Sequence, residues 1–439
     1  IALEYDVKTN AKPRARPLWS PRVGFHWTPD EDRHHLIRGG VGIFTGRIPF
    51  VWLSNSFSNT GMEFLKYAYY SNSQLPNGIY FNTNPHTQYE MLQNATAATT
   101  EVDIFDKKFK FTQNLRFNLA YEYTFNFGMK ATLEGLYSKT LNDIVYKDLN
   151  IEQTGETVAS AHGLDFDDRP MFKSKVNPAY TNFMYLGNTH KGYTYNFSLK
   201  LDKSFKFGLD ATAAYTFARS KSVNSAGSSV AFSNWRYNEV KGDPNNPELG
   251  FSDFNIPHRV VASISYSKAY AKHFRTTATL VYTGQSGVPY NVTYYGDLNG
   301  DGSNGNDLIF IPTDAQIDQM QFSTNNTDKT ADQQRADLKQ FLGNDKYMKK
   351  HRGEYYKRNA ANLDFEHHFD LRILQDFKFK AGNRTHTFQV SFDVLNIGNM
   401  FNKNWGKENY LSNNTYSPIS YDARTKTFQY LEGGNYQPV

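Results

Sequence analysis

The chain contains no cysteine, which excludes a disulfide scaffold, thiolate metal sites and thiol catalysis. No stretch approaches the roughly 18 apolar residues that a membrane helix needs. The net charge of +5 is small for 439 residues, and the basic side chains are scattered. No stripe for nucleic acid forms, so none is expected as a partner. "RGGVGIFTG" (38–46) lacks the GxGxxG spacing, and no Lys-Ser/Thr follows it. Nucleotide binding is therefore rejected, and these glycines read as a bend or close approach within a strand. No GxSxG elbow accompanies the serines, histidines and aspartates, so an enzyme is not expected. The opening "IALEYDVKTNAKPRARPLWSPRVGF" carries no signal peptide and reads as the middle of a protein, which leaves the compartment open.

Aromatic residues are abundant. With 30 Tyr and 34 Phe they make up 16% of a chain that is only 39% hydrophobic and has a mean hydropathy of −0.65. Aromatics in a chain of low hydropathy fit a membrane β-barrel, where alternate residues face lipid and aromatic girdles mark both interfaces. The period-two signal is clean. "YTYNFSLKLDKSF" sets Tyr193, Tyr195, Phe197, Leu199 and Leu201 against Thr194, Asn196, Ser198, Lys200 and Asp202. "LRFNLAYEYTF", "LDFEHHFDLRI" and "TFQVSFDVLNI" alternate in the same way, and further strands fit 23–27, 36–44, 129–146, 209–217, 259–266 and 277–290. Short turns are expected at 28–35, 126–128, 203–208, 269–274 and 374–385. Long polar segments run over about 45–110, 148–192, 224–257, 296–361 and 400–427. Short and long connections alternate strictly. Outer-membrane barrels show this asymmetry, whereas compact soluble domains seldom hold such loops. Alternation alone also suits a soluble sandwich whose apolar face is its core; loop asymmetry and aromatic excess favour the barrel.

The expected fold class is thus all-β, a membrane-spanning antiparallel β-barrel. About ten strands are legible, and the end "YLEGGNYQPV" lacks a final alternating strand. Ten open strands would leave backbone groups unpaired in lipid, so the chain reads as part of a larger barrel. The stretches "WSPRVGFHW" (19–27), "LIRGGVGIFTGRIPFVWLSNSFSNTG" (36–61), "LEGLYSKTLNDIVYKDLNI" (133–151), "LGNTHKGYTYNFSL" (186–199), "HRVVASISY" (258–266) and "DLNGDGSNGNDLIFIP" (297–312) follow one another in order. Together they resemble the C-terminal barrel region of TonB-dependent outer-membrane receptors of Bacteroidota, of the Oar-like type related to the SusC transporters. The resemblance covers nearly the whole chain, 1–439. It implies a barrel of about 22 strands around an N-terminal plug, with plug, TonB box and final strand outside this sequence. It also implies import of a large substrate of unknown type across the outer membrane of a Gram-negative bacterium. The implied partners are membrane lipid, the TonB complex and a surface lipoprotein. An adhesin or scaffold without transport, and a passive porin, are the alternatives.

One loop carries a chemical motif. Asp297, Asn299 and Asp301 have the 1-3-5 spacing of a calcium loop, Gly302 sits at position 6 and Ser303 at position 7, where a carbonyl would serve. Leu308 stands where an EF-hand has Glu, and Asp307 is the nearest carboxylate. A structural calcium ion held by Asp297, Asn299, Asp301, Ser303 and Asp307 is one reading. An Asp/Asn/Gly turn whose side chains cap their own backbone is the other. His34–His35 and His367–His368 are adjacent strand residues on opposite faces, so neither pair chelates through both rings. "TADQQRADLKQFL" (330–342) predicts a helix that packs within its loop. The aromatic-rich 50–72 segment offers either a stacking surface for substrate or packing for the vestibule.

Overall fold

The computed structural model describes residues 17–61, 67, 78–92, 99–431 and 436–438. Ten strands form a single antiparallel wall: β1 (Arg22–Trp27), β2 (His35–Thr45), β3 (Gln113–Thr124), β4 (Met129–Asp148), β5 (Tyr193–Ser204), β6 (Leu209–Ser222), β7 (His258–Tyr270), β8 (Phe274–Gln285), β9 (Glu366–Ala381) and β10 (Arg384–Val394). Each pairs with the strands next to it in the chain, so the wall is an uninterrupted meander. Among the described residues, β1 and β10 have one wall neighbour each and are not paired to one another, so the described wall is an open sheet.

Two strand assignments from the sequence need correction. Residues 374–385, expected as a turn, are mostly strand: β9 continues to Ala381 and β10 begins at Arg384, leaving Gly382 and Asn383 as the turn. Gly382 has φ +61°, the left-handed conformation that a two-residue hairpin requires. The expected 277–290 strand is two strands. β8 ends at Gln285, and Pro289–Tyr295 joins a different sheet, pairing in parallel with Thr415–Asp422. The glycines of β2 mark a close approach: a Cβ on Gly39 would lie 2.8 Å from the Phe25 ring and 2.9 Å from the Asn118 carbonyl.

The two faces of the wall decide what surrounds it. Phe197, Leu199, Phe388 and Phe392 are between 46% and 61% exposed, and Leu119, Leu133, Tyr137, Ile264 and Leu280 are exposed with them. Phe369 is half-buried because the Tyr282 ring packs tilted against it at 4.7 Å and Trp405 stacks on it at 4.8 Å. Open apolar residues on strand after strand form a surface that water would disfavour and lipid would cover. The other face is tied by polar cross-strand pairs. Arg372 faces Asp393 with N–O distances of 2.6 Å and 3.2 Å. Arg38 meets Glu134 at 3.0 Å, and Lys130 meets Glu122 at 3.4 Å. Ser198–Thr216 and Ser265–Thr279 join at 2.8 Å each.

Aromatics gather at both margins of the apolar surface. Phe125, Phe127, Phe205, Phe207, Phe274, Phe377 and Phe379 mark the tight-turn end, and Tyr195, Phe217, Tyr282, Phe369 and Trp405 mark the other. Phe369 and Phe379 are ten residues apart within β9. At ~3.3 Å per residue this spans about 33 Å of strand, or about 25 Å across the membrane at a 40° tilt, the height of an outer-membrane apolar band.

The buried cores lie elsewhere. The described parts of the connections 46–112, 149–192, 223–257 and 286–365, with those of the chain after Val394, pack together into a cap on the wall. One core joins Val292, Tyr294, Leu298, Ile309, Ile311, Leu338, Leu342, Ile419 and Phe428. The other joins Ile48, Trp52, Phe105, Ile144, Tyr146, Met184 and Trp235. β4 connects wall to cap: its upper part, Asp143–Asp148, leaves β5 and pairs with the strand Tyr180–Thr189. The helix expected at 330–342 forms as Ala331–Asn344, capped by Thr330 and Gln333 in a capping box, with Leu338 and Leu342 buried.

Candidate functional site

The 297–307 loop sits in the interior of the cap. Asn299, Asp301, Ser303, Asn306 and Asp307 are at most 1% exposed. Its turns need glycine: Gly300 and Gly302 have φ +77° and +88°, and a Cβ on Gly300 would meet the Phe172 carbonyl at 2.6 Å. Backbone bonds fasten the loop on two sides. Phe172 N–H donates to the Asn299 carbonyl at 2.7 Å, and Val240 N–H to the Asn306 carbonyl at 2.9 Å.

The five residues singled out in the sequence lie in this loop, and each has hydrogen-bond partners. Asp297 accepts from the N–H groups of Gly300 (2.8 Å), Asp301 (3.1 Å) and Gly302 (2.9 Å). Asn299 Oδ1 accepts from Asp301 N–H at 3.1 Å. Asp301 accepts from Ser303 N–H at 2.7 Å and from Asn306 Nδ2 at 2.8 Å. Asp307 accepts from Leu298 N–H at 3.0 Å and from Arg169 Nη1 at 3.2 Å. Ser303 Oγ donates to the Arg236 carbonyl at 3.3 Å. The loop is thus closed by Asx-type caps. The carboxylates of Asp297, Asp301 and Asp307 do not all approach within 4.8 Å of one another.

Two residues of this site were not read from the sequence. Arg169, buried at 2% exposure, donates through Nε to both Asp167 oxygens (2.9 Å and 3.1 Å), through Nη1 to Asp307, and through Nη2 to the Leu308 carbonyl at 2.8 Å. Asn306 has a buried Oδ1 with no hydrogen-bond partner among the described residues. Asp301 has no cationic partner among the described residues. Burial pushes its carboxyl well above the usual range, and the neighbouring Asp307 and Asp297 push it further. Burial also pushes Asp307 up to about 6, against the pull of Arg169.

Nearby, a cleft of about 440 Å³ opens among Lys221, Glu239, Lys241, Glu248, Tyr355 and Arg358. A second, of about 230 Å³, includes Asn234, Tyr237, Asp253 and Asn413 and shares Glu239. Burial raises the Glu239 carboxyl to about 7, although the Thr415 hydroxyl donates to it at 2.8 Å. The folded state then holds a proton that the unfolded chain releases near 4.5, so cap stability should fall as pH rises from about 5 through 7. Glu239→Gln should remove its share of this slope, a difference on the order of 3 kcal/mol above pH 7. Hydrogen exchange of the cap at pH 5 and pH 8 measures it, and equal slopes in the two proteins would refute it.

The described part of the 50–72 segment is packing rather than open stacking surface at Trp52, which is buried, lies edge-on to Tyr146 and donates to the Ser228 carbonyl at 2.7 Å. Residues 62–66 and 68–72 lie outside the described residues. The reading of His34–His35 as adjacent strand residues needs correction, because β2 begins at His35: His35 Nδ1 meets Tyr121 Oη at 2.7 Å and His34 Nδ1 the Thr124 carbonyl at 2.6 Å, with both rings beside Tyr123.

An open antiparallel wall with an apolar band about 25 Å high, polar on its other face and capped at one end, defines a membrane-barrel protein. Residues 8–429 match the family described as "Outer membrane beta barrel domain", and the chain belongs to that family. Its place is the outer membrane of a Gram-negative bacterium. No curated protein matches the sequence. Among solved structures, the ferric enterobactin receptor PfeA of Pseudomonas aeruginosa is similar at 10% identity and a TM-score of 0.41, over 90% of this chain and 36% of that one. The outer membrane transporter YddB of Escherichia coli is similar at 10% identity and 0.42, over 95% and 39%. The siderophore receptor PirA of Acinetobacter baumannii is similar at 10% identity and 0.36, over 87% and 37%. The chain therefore spans well under half the length of these structures.

Proposed function

We propose that the chain is the barrel region of a TonB-dependent receptor that imports a large substrate, of the Oar-like type related to the SusC transporters of Bacteroidota. The observation that carries this reading is the division of labour in the fold: a lipid-facing wall that buries little, and long connections that form two packed cores with clefts at one end. A pore needs no such cap. Among the described residues β1 and β10 each have one wall partner, and unpaired backbone in lipid is costly; a barrel of about 22 strands would pair both edges and leave room for a plug. A surface lipoprotein would dock on the cap, and TonB would act through the plug. The chain performs no catalysis in this reading.

Planar-bilayer conductance tests it. The purified protein should show no steady open channel, and depletion of medium components by cells carrying it should cease when the proton-motive force is collapsed. Steady conductance would identify a porin. Surface binding with no energy-dependent depletion would identify an adhesin or scaffold.

The 297–307 loop takes calcium in the same proposal, as a structural ion drawing on Asp297, Asn299, Asp301, the Ser303 carbonyl and Asp307. Two features support it: among the described residues, Asp301 is buried without a cation and Asn306 Oδ1 without a donor. An oxygen-rich set of this kind suits a hard cation. Calcium should raise the unfolding temperature of the cap by several degrees, and Asp301→Ala should abolish the rise while leaving the wall intact. A calcium response of equal size in Asp301→Ala would sink the assignment.

A further inference from the structure

Among the described residues, one set of three metal-ligating side chains brings its ligand atoms within 4.8 Å of one another: Glu366, His368 and Glu408. Glu366 and His368 stand two residues apart at the start of β9, so strand geometry puts both on one face, the face opposite the aromatic His367. Glu408 arrives from the chain beyond β10. Its position follows from two contacts just before it. Trp405 stacks on Phe369 with ring centroids 4.8 Å apart, and Gly406 N–H donates to the His367 carbonyl at 2.6 Å. Gly406 has φ +69° and lies against the Asn396 side chain, where no Cβ fits. Two residues further on, Glu408 Oε1 is 3.8 Å from His368 Nε2.

We infer that this triad binds a divalent first-row transition ion of the zinc type, which staples the 395–411 segment to the rim of the wall. One imidazole nitrogen and two carboxylate oxygens suit such an ion, and three protein ligands leave a fourth position for water or a substrate group. A tetrahedral site with ~2.1 Å bonds has ligand–ligand edges of about 3.4 Å, so the observed spacing closes on an ion with small side-chain movements. The ion's two charges would neutralise the two carboxylates. Glu366, 6% exposed, is already oriented by Gln285 Nε2, which donates to its Oε2 at 3.1 Å. An outer hydrogen bond of this kind fixes a ligand before the metal arrives. Glu408 is open to solvent at 72% side-chain exposure, which gives the ion an entry path. His367 takes no part: its Nδ1 meets Tyr282 Oη at 2.9 Å on the other face.

The test is zinc titration of the folded protein purified from outer membranes, by calorimetry in chelator-washed buffer. One zinc should bind per chain. His368→Ala and Glu408→Gln should each weaken it at least tenfold, and His367→Ala should leave it unchanged. Glu408→Gln is the safer variant, because Glu408 lies off the wall and its loss cannot unfold it. X-ray absorption of the zinc complex should show nitrogen and oxygen ligands with one imidazole. Absence of zinc binding by the folded protein, unchanged affinity in both ligand variants, or an equal loss in His367→Ala would each overturn the inference.

Discussion

Leu199→Arg should destabilise the folded protein by roughly 2–4 kcal/mol, the cost of a guanidinium near the middle of an outer-membrane apolar band. Leu199 is four residues from the Tyr195 girdle and six from Phe205, which places it ~10 Å below the nearer girdle at a 40° strand tilt. Its cross-strand neighbours on that face are Leu133 and Tyr215, both exposed, so no carboxylate is at hand to receive the charge. The same substitution on the water-facing side of a soluble sheet would lie within about 0.5 kcal/mol. The size of the effect therefore reports the solvent. The control is Lys200→Arg, one residue on and facing the other side, where Lys200 already pairs with Asp202 at 3.0 Å. Reversible unfolding in lipid vesicles measures both. A near-zero cost for Leu199→Arg would mean that the exposed aromatic face meets protein or water rather than lipid.

The wall was legible in the sequence because its information is local. Period-two alternation places Phe197 and Leu199 without knowledge of any partner strand, and tight turns announce themselves through residues such as Gly128 and Gly208, both at positive φ. The misread turn at 374–385 has a physical cause. "FKFKAGNRTHTF" continues the alternation through Phe377 and Phe379, but its lysines and arginine resemble loop composition when the residues past the membrane rim are weighed as polar. The cap was not legible. Its sheets pair segments far apart and in parallel, such as Thr100–Phe105 with Tyr180–Thr189 and Pro289–Tyr295 with Thr415–Asp422, and no short-range pattern encodes such pairing. The loop at 297–307 was visible by its Asp-Asn-Asp spacing. Arg169, which pairs with Asp307 from 138 positions away, was not. The Glu366–His368–Glu408 triad shows the same split: two members share a strand face, and the third depends on how Trp405 docks.

Arg169→Met should open the centre of the cap while sparing the wall. Arg169 is among the largest fully buried side chains of the protein, and it is paired with Asp167 and Asp307, both 0% exposed. The rings of Tyr294 and Tyr355 flank its guanidinium at 5.3 Å each. Methionine would fill much of the volume but leave two buried carboxylates without their cation and the Leu308 carbonyl without the Arg169 donor. Breaking a buried pair in this way costs about 3–5 kcal/mol, more than deleting one neutral hydrogen bond. Lysine should recover only part of it, because one ammonium cannot reproduce the planar fork that reaches Asp167, Asp307 and Leu308 together. Adding Asp167→Asn and Asp307→Asn to Arg169→Met should restore a substantial share of the loss, since the penalty lies in the stranded charges. The wall hydrogen bonds of β5 to β8 involve none of these groups. Hydrogen exchange should therefore accelerate over 158–172 and 294–308 in Arg169→Met and stay at the wild-type rate in β5 to β8. Unchanged protection over 294–308 would show that the cap is held by its apolar core alone and that the Arg169 network adds nothing to it.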